Sequence, residues 1–371
     1  MRLLVASNSF KGSLSSSFLN KLIKKELTKY LPELEIKDIA VSDGGDGFLD
    51  CFIHSNQGEL KFKKLTGPLK NKKVYARYLL SGDSAYIEIA EICGIKYLSK
   101  NELSPLYATS YGVGEIIAYL IKKGVKEFFI GLGGAASNDG GFGMARTLGF
   151  DFLDADGDKI ENSILGLLDL FEIRKSKINL EKIKFYGITD VNNLLLGKHG
   201  SARVFARQKG ASKKEIEIIE KALKKLSQVV NKSLGIEIRK IKGGAAAGGL
   251  GAGLRAFLNA RLLNGSQFIS EKLKLESEIK KSDIILTGEG VLDKSTLYGK
   301  IPHLILSKAK KYNKRTIFIC ADNKIVDKRI DLLISLEKHF SREFCMRNPE
   351  EALKKNIKLI YPDIRRLYGR K

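Results

Sequence analysis

The side chains able to do chemistry in this 371-residue chain cluster in short loops rich in glycine. The carboxylates are Asp43, Asp46, Asp139, Asp190, Glu289 and Asp293, and the lysines are Lys11, Lys209 and Lys300. Phosphoryl transfer uses that combination. Backbone N–H groups and lysines hold phosphate oxygens, acids hold Mg2+, and one carboxylate takes the proton of the attacking hydroxyl. The densest such loop runs over 131–143 and carries Gly133, Gly134, Ser137, Asn138 and Asp139. Its glycines permit positive φ and close approach of a ligand, and it feeds a helix start, where free N–H groups suit an anion.

The elements that must position these loops follow from hydrophobic periodicity. Apolar runs of strand length end near Ala6, Val41, Leu132, Leu286 and Cys320, and each discharges into a polar loop. Residues 15–31 space Leu19, Leu22, Ile23 and Leu27 as one face of a helix. If the five runs form one open parallel sheet, their loops share its carboxyl edge, where such sheets bind ligands. From 60 to 95 the pattern changes to alternation broken by turns, which predicts antiparallel hairpins. The chain therefore reads as α/β with two domains. A parallel, Rossmann- or flavodoxin-like domain takes 1–60, 105–150 and 280–371; an inserted mixed α/β domain takes 61–104 and 151–279.

Several classes are disfavoured. A net charge of +23 is compatible with nucleic acid, but the lysines lie mainly in helical segments mixed with glutamate, the pattern of solvated faces. The four cysteines are widely separated, without zinc or thiol-exchange spacing, and the four histidines share no motif. No apolar stretch approaches a membrane span and the amino terminus lacks a signal-peptide pattern, so a cytoplasmic location is expected. No Walker motif occurs, since Ile301 follows Lys300. The run from Gly131 to Ala136 satisfies the looser GxGxxA dinucleotide fingerprint, which keeps an NAD(P)-dependent oxidoreductase of small hydroxy acids as an alternative. A non-enzymatic, basic nucleic-acid-binding protein is the second alternative.

The ordered motifs SNSFKGSLS, SDGGDG, TGPL, TSYGVGE, GLGGAASNDGG, TDVNNLLLG, QKGA, GAAAGGLGAGL and TGEGVLDKSTLYGK resemble the bacterial-type, class I glycerate kinase family over nearly the whole chain. The resemblance implies ATP-dependent, Mg2+-assisted phosphorylation of D-glycerate to 2-phosphoglycerate or 3-phosphoglycerate. It also implies two α/β domains, the second forming the other wall of a cleft. Partners would be D-glycerate and ATP, with no nucleic acid or membrane, in a monomer or homodimer. On this view Lys11 neutralises the transferred phosphoryl group and Asp190 is the general base. Ser9, Ser110 and Lys209 hold the substrate, and Asp43 and Asp139 serve Mg2+. Gly133, Gly134, Ser137, Asn138, Glu289 and Lys300 contact the nucleotide. Asn8, Asp46, Ala135, Leu194, Arg207, Val291 and Ser295 depart from the family's pattern.

Overall fold

Arg2–Val5 lies inside a parallel five-stranded sheet whose spatial order is Leu332–Ser335, Arg315–Cys320, Ile284–Gly288, Arg2–Val5 and Glu35–Asp38. In chain order this is 2-1-3-4-5, the flavodoxin-like arrangement, whose direction of winding reverses between the first and third strands. Here those strands are Arg2–Val5 and Ile284–Gly288, registered Leu4 to Ile285. Their residues are almost all apolar because helices cover both faces. Ser16–Tyr30 is one such helix, started by Ser15, whose hydroxyl accepts from the Phe18 N–H at 3.3 Å. Its Leu19, Ile23 and Leu27 are fully buried against the sheet core.

The computed structural model describes residues 1–297 and 299–369, and it divides into two units. The unit just described comprises 1–43, 50–57 and 265–371. The second comprises 44–49 and 58–264, built on a six-stranded sheet in the order Arg261–Asn264, Lys184–Thr189, Glu127–Gly131, Ser84–Glu88, Lys73–Ser81 and Glu59–Thr66. The first four strands are parallel, and the last two join as antiparallel hairpins. Stacked rings of Tyr86, Phe129 and Tyr186 run across neighbouring strands, with centroids 4.9 and 5.1 Å apart. The long helix Lys213–Leu234 opens with a Ser212/Glu215 capping box and ends at Gly235, at φ 72°.

Both units are α/β, and the first has the parallel doubly wound sheet expected from sequence. One assignment requires correction. The strand Glu127–Gly131 was expected in the same sheet as Arg2–Val5, yet it pairs with Ser84–Glu88 and Lys184–Thr189 in the other sheet. Phe128 and Ile130 meet Ala85, Ile87 and Phe185 there, and any parallel sheet buried on both faces would accept the same apolar run. The region 105–150 therefore belongs with the second unit, and 265–279 with the first.

Candidate functional site

In the first unit, the loops after Arg2–Val5 and Ile284–Gly288 run side by side at the reversal point, tied by Ala6 N–H to Leu286 O and Asn8 N–H to Gly288 O, both 2.8 Å. Asp43 enters from the loop after Glu35–Asp38. Its Oδ2 accepts from Asn8 Nδ2 at 2.9 Å, while Oδ1 accepts from Ser266 Oγ at 3.1 Å and from the Ile301 N–H at 2.7 Å. That last bond places the carboxylate on the amino terminus of the helix Ile301–Lys311, where the helix dipole favours negative charge.

Glu289 is buried beside this group, with Oε2 3.3 Å from Lys300 Nζ. Burial pushes its carboxyl above the usual range; Thr296 and Lys300 oppose the rise and the Asp43 charge adds to it. Lys300 also donates to Ser295 Oγ at 2.8 Å, and Ser295 donates to Asp293 Oδ1 at 2.6 Å. Asp293 is a half-buried carboxylate held below its ordinary value by Ser295. Ser9 is half-buried and Lys11 exposed in the adjacent loop. The first unit thus collects Ser9, Lys11, Asp43, Glu289 and Lys300.

The second unit holds Ser110, Gly133, Gly134, Ser137, Asn138, Asp139, Asp190 and Lys209. At the helix start that follows the loop 132–141, the donors meet partners from the chain itself. Asp139 is buried, and its Oδ2 accepts from the Ser110 N–H at 2.8 Å, Ser110 Oγ at 2.9 Å and the Gly143 N–H at 3.1 Å. Its Oδ1 takes the Gly141 N–H at 3.1 Å. The Met144 N–H goes to Ser110 Oγ at 3.0 Å. The helix-start N–H groups of Gly141, Gly143 and Met144 are therefore satisfied by the chain's own carboxylate and hydroxyl, and Ser110 is fully buried.

The glycines serve backbone contact. A Cβ on Gly133 would meet the Gly45 Cα at 2.5 Å, so the 44–49 segment lies against this loop. The glycine run 243–251 does the same from another side, with Gly248 O accepting the Gly140 N–H at 3.1 Å. Lys209, in the short turn Arg207–Lys209, donates to Ser137 O at 2.6 Å from a buried position. Burial pulls its ammonium down to about 8, against Cys93 and Asp139. Cys93 itself is pushed up to about 12 by burial and next by Asp139. Asn138 donates to Pro105 O at 3.2 Å, and its buried Oδ1 has no hydrogen-bond partner among the described residues. Asp190 follows Lys184–Thr189 and is exposed.

Sequence reasoning passed over Ser266 and Glu88. Ser266 shows no motif, and only the fold brings it to Asp43. Glu88 is a buried acid ending a strand, and it accepts the Gly47 and Leu49 N–H groups at 3.1 and 3.0 Å, which fixes the glycine segment after Asp43. An acid closing an alternating strand was the available signal. Among the described residues no group of three or more His, Cys, Asp or Glu forms a metal cage, and no helix is long and apolar enough to cross a membrane.

Comparison with known proteins gives a consistent result. A family model described as "Glycerate kinase family" matches residues 3–365. The chain is 36% identical to the "Glycerate 2-kinase" of Escherichia coli (strain K12), over 86% of this chain and 84% of that one. It is 35% identical to a "Glycerate kinase" of Halalkalibacterium halodurans, over 85% and 84% of the two chains. A crystal structure described as a glycerate kinase 2 from Salmonella typhimurium LT2 superposes with a TM-score of 0.83 at 33% identity, covering 98% of each chain.

Proposed function

Because the chain belongs to the glycerate kinase family, we propose that it transfers the γ-phosphoryl group of ATP to a hydroxyl of D-glycerate. The observation that carries this reading is the reversal point of the first sheet, where Asp43, Glu289 and Lys300 gather beside the Ser9–Lys11 loop. Crevices at such reversal points take phosphorylated ligands. Lys11, exposed in that loop, would neutralise the moving phosphoryl group.

Mg2+ fits this donor set. It is ordinarily held by one or two carboxylates together with substrate phosphates, so Asp43 with Glu289 nearby suffices without a full cage. Burial raises the Glu289 carboxyl and the Asp43 charge adds to the rise, so a cation bound nearby would favour the ionised form. When bound, the ion would supply charge neutralisation on the phosphate oxygens. Lys300 balances Glu289 and would contact the nucleotide.

In the second unit Asp139 and Ser110 act indirectly. They hold the 132–141 loop in shape, which leaves Ser137 and Asn138 as its contacts, with Gly133 and Gly134 shaping the backbone. The open Oδ1 of Asn138 can only accept, so it suits a hydroxyl or amine of glycerate or nucleotide, rather than a phosphate oxygen. Lys209 supports Ser137 O and supplies buried positive charge for the glycerate carboxylate. Asp190 is the proposed general base. Transfer to the 2-hydroxyl is favoured by the likeness to the Escherichia coli protein named a glycerate 2-kinase.

The test is purified protein with ATP, Mg2+ and D-glycerate, with ADP and both phosphoglycerates followed by phosphorus NMR. Formation of 2-phosphoglycerate is expected. Turnover no faster than the ATPase background refutes the assignment to glycerate, and 3-phosphoglycerate as sole product refutes the hydroxyl.

A further inference from the structure

The amino ends of the parallel strands in the second unit carry a feature that phosphoryl transfer does not use. A cavity of about 650 Å3 opens there, bounded by the starts of Lys184–Thr189 and Arg261–Asn264, the carboxyl end of the helix Ala246–Leu258 and the loop 175–183. Its size is that of a small-molecule site. The floor is apolar, with Phe150, Phe185 and Phe257 buried and Ile183 and Ile236 half-buried. The mouth is cationic: Lys175, Lys184 and Arg261 are exposed around it, against the single acid Glu181.

Among the described residues these three cations form no side-chain ion pair, whereas Arg77 and Lys96 in the same unit pair with Glu91. The carbonyls at the end of the bordering helix are partly satisfied internally, since Leu254 O accepts both the Asn259 and Ala260 N–H groups. A neighbouring depression, lined by Lys242, Arg255 and Arg261, extends the positive region beyond the mouth. Lys184–Thr189 runs six residues, so the cavity is roughly 20 Å from the carboxyl edge that carries Asp190.

We propose that this cavity is a second binding site for an amphipathic monoanion, a medium-chain acyl group ending in a carboxylate. The chain lies on the phenylalanine floor and the carboxylate meets Lys184 and Arg261. A buried apolar body supplies affinity, and the cationic mouth supplies selection by charge. A neutral or cationic molecule of the same length has no partner at the mouth.

The chain contains no tryptophan, so Ile178→Trp in the half-buried lining loop gives a single fluorescent reporter. Decanoate, decanol and decylammonium are titrated below their micellar concentrations into this variant, and decanoate into the unaltered chain by calorimetry. Saturable binding of one decanoate per chain is expected, at least tenfold tighter than decanol, with decylammonium weaker still. Lys184→Glu with Arg261→Glu alters exposed side chains only, and it is expected to weaken decanoate at least tenfold while the thermal midpoint stays unchanged. Absence of saturable decanoate binding to the unaltered chain overturns the proposal. Equal affinity for the three ligands, or an unchanged affinity in the charge-reversed chain, does so as well.

Discussion

Lys209→Met isolates the energetics of a deeply buried cation. Lys209 is buried, and burial lowers its ammonium to about 8 from the ordinary lysine value of 10.5. Below pH 8 the folded and unfolded chains both carry the proton, and folding bears the full cost of burying the charge. Between pH 8 and 10.5 only the unfolded chain binds it, so the wild-type chain gains stability as pH rises through that window. A difference of 2.5 pH units corresponds to about 3 kcal/mol. Urea unfolding of wild type and variant at intervals from pH 7 to 10.5 reads this directly as the difference between the two curves, which cancels every other titration. Wild type is expected to gain about 3 kcal/mol on Lys209→Met across the window, with no change between pH 7 and 7.5. Lys209→Arg, which cannot titrate there, should lack the same gain. A difference curve flat from pH 8 to 10.5 would falsify the account of a desolvated ammonium held only by Ser137 O.

The remaining predictions concern the two loop systems. Asp43→Asn keeps most of the volume but removes the charge at the helix start; kcat with ATP and D-glycerate is expected to fall at least about 100-fold, comparable to loss of one preorganised electrostatic group, and unchanged kcat would remove Asp43 from phosphate or metal handling. Lys11→Ala alters an exposed side chain, so the thermal midpoint should hold while turnover drops; preserved turnover counts against its role. Asp139→Asn replaces an acceptor of four donors within 3.1 Å with a group that must itself donate, and should cost about 2–4 kcal/mol of stability by denaturant titration; a cost below about 0.5 kcal/mol would mean the loop does not depend on it. Gly248→Ala puts a Cβ 1.9 Å from Ser137 O at φ 70°, and a marked fall in thermal midpoint is expected, whereas Gly197→Ala, which meets no atom within 4 Å, should have the smaller effect.

Periodicity made the elements legible, and residue type made the chemistry legible. Leu19, Ile23 and Leu27 announce a one-faced helix because 3.6 residues per turn is a local property, and Ser15 announces its start because capping is local too. The loops with Asp43, Glu289 and Lys300 stood out for the same reason: small residues, acids and lysines after an apolar strand need nothing distant to be noticed. The partition into sheets was a different matter. Strand pairing is a contact between segments far apart in sequence, and a strand with an apolar centre such as Glu127–Gly131 fits any doubly covered sheet. The roles of Asp139 and Ser110 were hidden likewise.

What the sequence alone determined is thus the local conformation of each strand, helix and glycine turn, together with the stock of acids, lysines and amides available for phosphoryl transfer. The tertiary structure decided which of those groups remain available. Asp139 takes its donors from Ser110, Gly141 and Gly143, while Asp43 is met by Asn8 from 35 residues away and by Ser266 and the Ile301 N–H from more than 200 residues away. A hydrogen bond saturates at fixed distance and direction, so whether a carboxylate serves the fold or a ligand depends on which donors three-dimensional packing brings within about 3 Å of it.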